Sequence, residues 1–345
     1  MDGNWSKTAV VILCWNGKKF LEEFLPSVVQ YQQADSDIVV ADNASEDDSL
    51  IYLKKAFPSV KIIELEKNFG FAEGYNQAIR KIDSEFIVLL NQDVAVTENW
   101  LSPMVMMMEK DASIGAVQPR IRSHLQPAKF EYAGAAGGWI DKYGYTFCRG
   151  RIFDAVEADN DQYNEPAEIF WTSGACMIVR KKVYEQLGGL DASFFAHMEE
   201  IDFCWRLKNA GFKNMYCPHS IVYHLGGGSL AHGNPLKTYL NFRNNLIMMS
   251  KNLPQKNRAG ILLVRILLDN IAALRALTGF RFSDFIAIWK AYFHYLRHSR
   301  TFTPKPSFTT KSLSHMTGVY NGSVVYRYFM KRKRVFKEIV SNNKS

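Results

Sequence analysis

The sequence predicts an α/β protein built on a doubly wound, mostly parallel sheet. Three observations carry that expectation. Apolar, β-branched runs alternate with helix-length amphipathic segments over residues 1–118. The runs are nearly continuous in apolar character, as strands buried on both faces are. Each early run also ends in a polar cluster, where open α/β sheets bind their ligands.

Strands are expected at residues 8–13, 37–41, 60–65, 85–90 and 114–118, with helices at 18–32, 47–57, 72–81 and 98–110. "VVILC" and "FIVLL" have strand composition, and Ser45 or Asp47 can cap the helix after "DNASEDDS". Residues 120–170, centred on "YAGAAGGWIDKYGY", predict an inserted loop region with some strand structure. A strand at 175–180 and a helix at 182–187 follow, then a helix at 199–210. Past Pro235 the pattern turns helical, through "YLNFRNNLIMMSKNL", "ILLVRILLDNIAALRAL" and "FSDFIAIWKAYFHYLRH". The second of these is interrupted by Arg265, Asp269, Asn270 and Arg275, which argues against a membrane span. Residues 1–235 are therefore expected to form the catalytic domain and 236–345 a helical, basic extension.

Charge is distributed unevenly. The 345 residues carry a net +8, yet from Ala231 onward 20 Lys and Arg face 3 acids, a net of +17. That asymmetry predicts an anionic partner for the extension. No nucleic-acid motif accompanies the charge, so a membrane surface is expected, with Phe285, Ile288, Trp289 and Phe293 inserting. The five cysteines show no metal-type spacing, and the first apolar run, residues 9–14, is too short for a signal peptide. A cytoplasmic protein, peripheral at the inner membrane face, is the expectation.

Four polar clusters follow the first four strands: Asn16 and Gly17; Asp42 and Asn43 in "DNASEDDS"; Asn68, Gly70, Gly74 and Asn76 in "KNFGFAEGYNQA"; and Asn91, Gln92 and Asp93. Asp42 can accept hydrogen bonds from a ribose or a base edge. Gly70 and Gly74 let backbone amides approach a phosphate at a helix start. Asp93 supplies a hard oxygen ligand for a divalent cation, Mg²⁺ or Mn²⁺. Neither G-x-G-x-x-G nor a Walker A sequence is present. The clusters therefore describe a nucleoside diphosphate site rather than one for NAD or ATP.

In order along the chain, "VVILCWNG", "VVADNASEDDS", "NFGFAEGYNQA", "LLNQDV", "TSGACMIVRKKVYEQLGGLDASFFAHMEEIDFCWRLKNAGF" and "VYHLGGGS" resemble the inverting glycosyltransferases of the GT-A fold, close to their bacterial rhamnosyltransferase-like branch. The resemblance covers roughly residues 8–250. It implies a nucleotide-sugar donor held by Asn16, Asp42, Asn43, Asn68, Gly70, Asn76, Asn91, Gln92, Asp93, Ser173 and Gly174. Asp93 matches the last position of the family's D-x-D metal motif, with Asn91 in place of the first acid. His224 resembles the downstream metal ligand. Trp171 and Glu199 would contact the acceptor.

"FFAHMEEIDFCWR" sets Glu199, Glu200 and Asp202 among aromatic residues. An i,i+4 ion pair with Arg206 on a solvated face accounts for Asp202. Glu200 lies beside the apolar stripe of Ile201, Cys204 and Trp205, where a carboxyl should resist ionising. By resemblance Glu200 is the general base. The expected activity is metal-dependent transfer of one sugar, from dTDP-rhamnose or a UDP-sugar, to a saccharide or lipid-linked acceptor in surface polysaccharide assembly. A sugar nucleotidyltransferase and a catalytically inactive membrane-surface adaptor are the alternatives.

Overall fold

The computed structural model describes residues 5–226, 234–299, 302 and 310–341. Strands β1 (Thr8–Cys14), β2 (Ser36–Asp42), β3 (Lys61–Glu64) and β4 (Phe86–Asn91) alternate with helices α1 (Lys18–Gln30), α2 (Ser49–Ala56) and α3 (Gly70–Ile79). Next come β5 (Val94–Val96), α4 (Ser102–Lys110) and β6 (Ile114–Ser123). Four short strands follow: β7 (Gly138–Asp141), β8 (Thr146–Cys148), β9 (Arg151–Ile152) and β10 (Ala155–Val156). The chain then returns to the main sheet through β11 (Ala167–Ile169), β12 (Cys176–Arg180), α5 (Lys181–Gln186), α6 (Glu199–Asn209) and β13 (Lys213–His224).

The main sheet has the order β11-β13-β6-β12-β4-β1-β2-β3, with β5 also paired to β13. From β3 to β4 all pairings are parallel. β12 runs against both β4 and β6, so β6 points the same way as β4, and β13 is parallel to β6. Alternate residues go to opposite faces. Val10, Ile12, Val40 and Val88 pack with α1 and α4, whereas Val11, Val39 and Leu89 pack with α3 and α6. Each such side chain contributes about 1.5–3 kcal/mol when buried, and a one-residue slip would exchange the two faces. The register is therefore locked on both sides.

The pairing of β13 positions a functional residue. Its register against β6 shifts between Cys217 and Ile221, around Pro218, which cannot donate to a ladder. Beyond the shift β13 also pairs with β5, matching His224 to Val94. His224 is thereby carried beside Asp93, the residue before Val94.

The region expected as a loop insertion is a second sheet, β10-β9-β8-β7-β14. Its last strand, β14 (Val319–Tyr320), comes from the C-terminal segment and pairs parallel with β7. Asp141 at the end of β7 accepts from the amides of Tyr143 (2.9 Å), Tyr145 (2.9 Å) and Val324 (3.0 Å). A third core forms beneath this sheet. It joins Phe147, Phe170 and Trp171 to Trp205 of α6, to Met248, and to Val319, Tyr328 and Phe336 near the end of the chain.

Helices α7 (Pro235–Asn252), α8 (Gln255–Thr278) and α9 (Phe282–His298) follow the main sheet, and α10 (Phe336–Val340) follows β14. Asn234 caps α7, its side chain accepting from the Leu236 amide, with Pro235 at the first helical position. Among the described residues no helix is long and apolar enough to cross a membrane.

Three expectations change. Residues beyond Pro235 are not uniformly helical, because β14 completes the second sheet. Ile288 is buried against Leu246, Ala273 and Tyr292, so it is not available for membrane insertion. Asp202 is not on a solvated face: it is buried, binding Arg206 Nε at 2.7 Å and Asn252 Nδ2 at 2.6 Å. Of "VYHLGGGS", the last three residues, Gly227, Gly228 and Ser229, lie outside the described residues.

Gly318 fixes the approach of the C-terminal segment. Its φ is +83°, and a Cβ there would stand 2.2 Å from the Phe170 amide nitrogen. Gly318→Ala is expected to cost about 2–4 kcal/mol, from left-handed strain and overpacking together. A urea titration should show a lower midpoint with an unchanged slope; a wild-type midpoint would contradict this packing.

Candidate active site

The parallel register brings three strand ends to one level, with Cys14 opposite Asp42 and Leu13 opposite Asn91. Asn16, at φ +47°, ties the first two loops together. Its amide donates to Ser45 Oγ (3.0 Å) and its Oδ1 accepts from the Glu46 amide (2.8 Å). Gly17 makes room for Gln92, because a Cβ there would lie 2.1 Å from Gln92 Oε1. Asp42 is buried, and its Oδ2 accepts from the Ser45 amide at 3.2 Å. Asp42 Oδ1 and Gln92 Oε1 are both buried without a hydrogen-bond partner. An unsatisfied buried acceptor costs about 1–3 kcal/mol, so each marks a place for a ligand donor.

Asn43 and Asn68 shape the loop that enters α3. Asn43 accepts from the Phe69 amide (3.0 Å) and donates to Asn68 Oδ1 (3.0 Å) and to the Gly70 carbonyl (3.1 Å). Asn68 Oδ1 also accepts from the Gly70 amide at 2.8 Å. Gly70 itself has φ +75° and lies against the Phe195 ring, where a Cβ would come within 3.1 Å. The start of α3 thus abuts the turn that precedes α6. Asn91 ends β4, its amide donating to the Ala175 carbonyl at 2.9 Å.

Three expected contacts are committed elsewhere. Asn76 donates to the Leu190 carbonyl (2.8 Å) and accepts from Tyr184 Oη (2.7 Å) and the Leu190 amide (3.0 Å). It braces α3 against the 187–191 loop instead of lining a ligand pocket. Trp171 is buried in the third core over Gly138, with Nε1 donating to the Trp139 carbonyl at 3.0 Å, so it offers no acceptor platform. Ser173 Oγ donates to the Ala133 carbonyl (2.7 Å) and accepts from the Ala175 amide (3.2 Å). Gly174 is different. A Cβ there would make ordinary contact with Phe71 (3.6 Å) and Glu200 (3.7 Å), so Gly174 packs directly beside Glu200.

Asp93 and His224 do come together. His224 Nε2 is 3.1 Å from Asp93 Oδ1, and its Nδ1 is 3.4 Å from Glu131 Oε2, a partner the sequence did not single out. The Nδ1 contact is an ion-pair distance without hydrogen-bond geometry. Burial opposes charge on His224, yet the Glu131 and Asp93 carboxylates outweigh it and raise its pKa to about 10. Asp93 is held below the usual carboxylate range, its hydrogen bond to His224 overcoming burial. Once a cation displaces the imidazole proton, oxygen and nitrogen donors in this buried, net-negative setting fit a hard or borderline divalent cation. Among the described residues no three such side chains form a complete metal site. Asp93 and His224 would supply two ligands, and the remaining positions would be left to a ligand's oxygens.

The acidic end of α6 is entered through strained backbone. Phe195, His197 and Met198 have φ of +65°, +68° and +75°. Asn244 on α7 holds this turn, its amide nitrogen lying 3.0, 2.8 and 2.7 Å from the carbonyls of Phe194, Ala196 and His197. Arg243 adds bonds to the carbonyls of Ser193 (3.1 Å) and Phe194 (2.9 Å). Glu199 is buried and Glu200 half-buried, and each has an oxygen without a partner. Burial raises the Glu199 pKa well above its ordinary range, and the charge of Glu200 adds to the rise. Burial likewise pushes Glu200 up to about 7, against the opposing backbone amides. From an ordinary 4.5 that rise corresponds to about 3 kcal/mol, more than the ~0.3–1 kcal/mol a helix N-terminus returns. Desolvation wins. Partial burial, with Lys237 nearby, lowers His197 to about 4, so it stays neutral at pH 7.

Residues 9–188, just over half of the chain, match the sequence family described as Glycosyl transferase family 2. A Mycobacterium tuberculosis protein named N-acetylglucosaminyl-diphospho-decaprenol L-rhamnosyltransferase is 25% identical over 235 residues, covering 62% of this chain and 75% of that protein. Among solved structures, GalNAc-T7 with UDP, GalNAc and Mn²⁺ aligns with TM-score 0.56 and 19% identity, over 74% of this chain and 49% of that one. A mannosyltransferase from Pyrobaculum calidifontis, in complex with GDP-Man and Mn²⁺, aligns with TM-score 0.51 and 13% identity, over 86% of this chain and 76% of its own. This chain therefore spans three quarters of the mycobacterial relative but only about half of GalNAc-T7. At these identities the structural likenesses concern the fold alone.

The raised Glu200 carboxyl has a consequence for stability. Folded Glu200 keeps its proton to about pH 7, whereas an unfolded glutamate loses it near 4.5. Between those values the folded state binds more protons, so its contribution is full in acid and is lost as pH rises. Glu200→Gln should raise Tm at about pH 8 and leave it nearly unchanged at about pH 4. Calorimetry at both pH values checks this; an equal shift at both would contradict a desolvated carboxyl.

Proposed function

The chain belongs to glycosyl transferase family 2 and is a glycosyltransferase of the GT-A fold, and we propose that it transfers one sugar, with inversion, from a nucleotide-diphosphate sugar to a lipid-linked saccharide. The donor is dTDP-rhamnose or a UDP-sugar, and the acceptor is met at the cytoplasmic face of a membrane. The rhamnosyltransferase name of the mycobacterial relative and the UDP of a structural neighbour support the donor class. The decaprenol diphosphate in the relative's name supports the acceptor class.

One observation carries the chemistry: a half-buried carboxyl held near neutrality, Glu200, with an unpaired oxygen. A base works best when its pKa lies near the working pH. Glu200 takes the proton of the acceptor hydroxyl as that oxygen bonds to the anomeric carbon. The bond from that carbon to the diphosphate breaks on the opposite face, so the configuration inverts. Burial also resists ionisation of Glu199, which disfavours a second negative charge beside the base. Asp42 binds the nucleoside through its unpaired oxygen, and the Asn43–Asn68 pair fixes the loop into α3 by holding the Phe69 and Gly70 amides. Asp93 and His224 would hold a divalent cation, Mg²⁺ or Mn²⁺, which when bound offsets the charge of the leaving diphosphate.

Glu200→Gln should lower kcat by about 10²–10⁴ while leaving donor binding intact. Wild-type kcat/KM should rise with pH through about 7, and the variant should lack that limb. Full activity in Glu200→Gln with loss in Glu199→Gln would move the base to Glu199. In thermal-shift titrations with Mn²⁺ and UDP or dTDP, Asp93→Ala and His224→Ala should both weaken the metal-dependent part. An unchanged metal response in His224→Ala would leave the histidine a purely structural role.

A further inference from the structure

Helix α9 carries an apolar stripe that none of the described residues covers. Phe282, Ile286, Trp289, Phe293 and Leu296 recur at three- and four-residue spacing and are all exposed, Phe293 to 68%. The stripe begins at the turn from α8, where Phe280 is 82% exposed beside Arg281. An open groove runs along the same helix, lined by Phe285, Ile286, Trp289 and Phe293, by Lys290 and Arg297, and by Tyr239 of α7. Lys290 stands four residues after Ile286, and Arg297 four after Phe293, so both cations flank the stripe on one side.

Charge selects the occupant. The acids of α8 and α9 are Asp269 and Asp284, and both are buried in internal bonds. Asp269 binds Arg265 Nε (2.9 Å), Tyr145 Oη (2.7 Å) and Tyr292 Oη (2.6 Å), and Asp284 binds Thr238 Oγ1 (2.8 Å). The exposed charges on these helices, among them Lys256, Arg275, Lys290 and Arg297, are all basic. A second copy of the chain would bring the same cations against this face and be repelled. An anionic bilayer satisfies both parts, taking the aromatic and aliphatic stripe into its interfacial layer and the cations onto its phosphates. Long basic side chains bury their stems in the apolar layer and keep their charges at its surface.

We propose that α9, with the Phe280–Phe282 turn at its start, is the surface by which this protein docks on an anionic phospholipid membrane. The inference rests on the reading of a membrane-borne acceptor and names the face that meets it. Tyr239, which lines the groove, lies on α7 one turn before Arg243, which holds the turn entering the acidic helix. Docking through α9 therefore sets the membrane next to the helix that supports Glu199 and Glu200.

The test uses the full chain with vesicles of phosphatidylcholine alone or mixed with phosphatidylglycerol. Co-sedimentation should require the anionic lipid and should weaken without vanishing in high salt, which screens the charges but spares the apolar part. The pair Trp289→Ser with Phe293→Ser, and separately Lys290→Ala with Arg297→Ala, should each reduce vesicle affinity at least about tenfold. These side chains are exposed, so Tm should not move, and transfer to a water-soluble acceptor should persist. Wild-type protein that ignores anionic vesicles yet transfers sugar would overturn the docking surface alone. Vesicle binding without turnover of any nucleotide-sugar would instead overturn the functional reading and leave the surface standing. Self-association of wild-type protein, abolished by the Ser pair, would make the face an interface between copies and contradict the proposal.

Discussion

The site depends on one strained turn that shields two carboxyls from water, one fully and one in part. Phe195, His197 and Met198 all adopt left-handed φ without being glycine, at a cost of about 1–3 kcal/mol each. Such backbone persists only when its surroundings over-determine it. Asn244 does so by gathering three carbonyls of the turn, and Arg243 gathers one more beside a carbonyl they share. The helix that follows opens with Glu199 and Glu200, side by side and desolvated. Stability is sacrificed at this point, since carboxyls that resist ionising penalise the fold at neutral pH. A carboxyl that titrates near neutrality is what that sacrifice makes available.

The rest of the molecule holds this turn against the strand-end cleft. Gly70 lets α3 begin against Phe195, and the Phe71 amide donates to the Phe195 carbonyl at 3.3 Å. From the other direction α7 is anchored by Asn252 on Asp202 and by Lys251 on Asp191, which is held down to about 2 by that lysine despite its burial. The second sheet and the C-terminal segment complete the core on which α6 rests through Trp205 and Cys204. Strand-end cleft, acidic helix and C-terminal helices therefore share one mechanical frame.

Much of this is legible in the sequence, because parallel strands buried on both faces leave only their ends for polar residues. Asp42, Gln92 and Asp93 could be placed from that rule, and His224 from the family pattern. What escaped the sequence is set by contacts between distant segments. Asn76 sits in an apparently ligand-facing cluster, but its partners Tyr184 and Leu190 lie 108 and 114 residues away. Trp171 matches an acceptor-contacting position of the family pattern, but Gly138 and Trp139 are packed onto it. Glu131 and Asn244 carry no local signal at all; one comes from an irregular segment, the other from a helix beyond the matched family region. The basic C-terminal part was visible as charge, but the return of β14 to the second sheet was not, since two residues give no periodicity.

The central claim is that the fold keeps Glu200 protonated until near neutrality. Carbon-13 NMR of the full-length protein, with glutamate labelled at the carboxyl carbon, measures this without reference to turnover. The Glu200 resonance is identified as the one missing from Glu200→Gln and is followed through an acid-to-base titration. The account predicts a midpoint near 7. A midpoint at the ordinary 4.5 would mean that water reaches the carboxyl freely, and the strained turn would then have no chemical purpose.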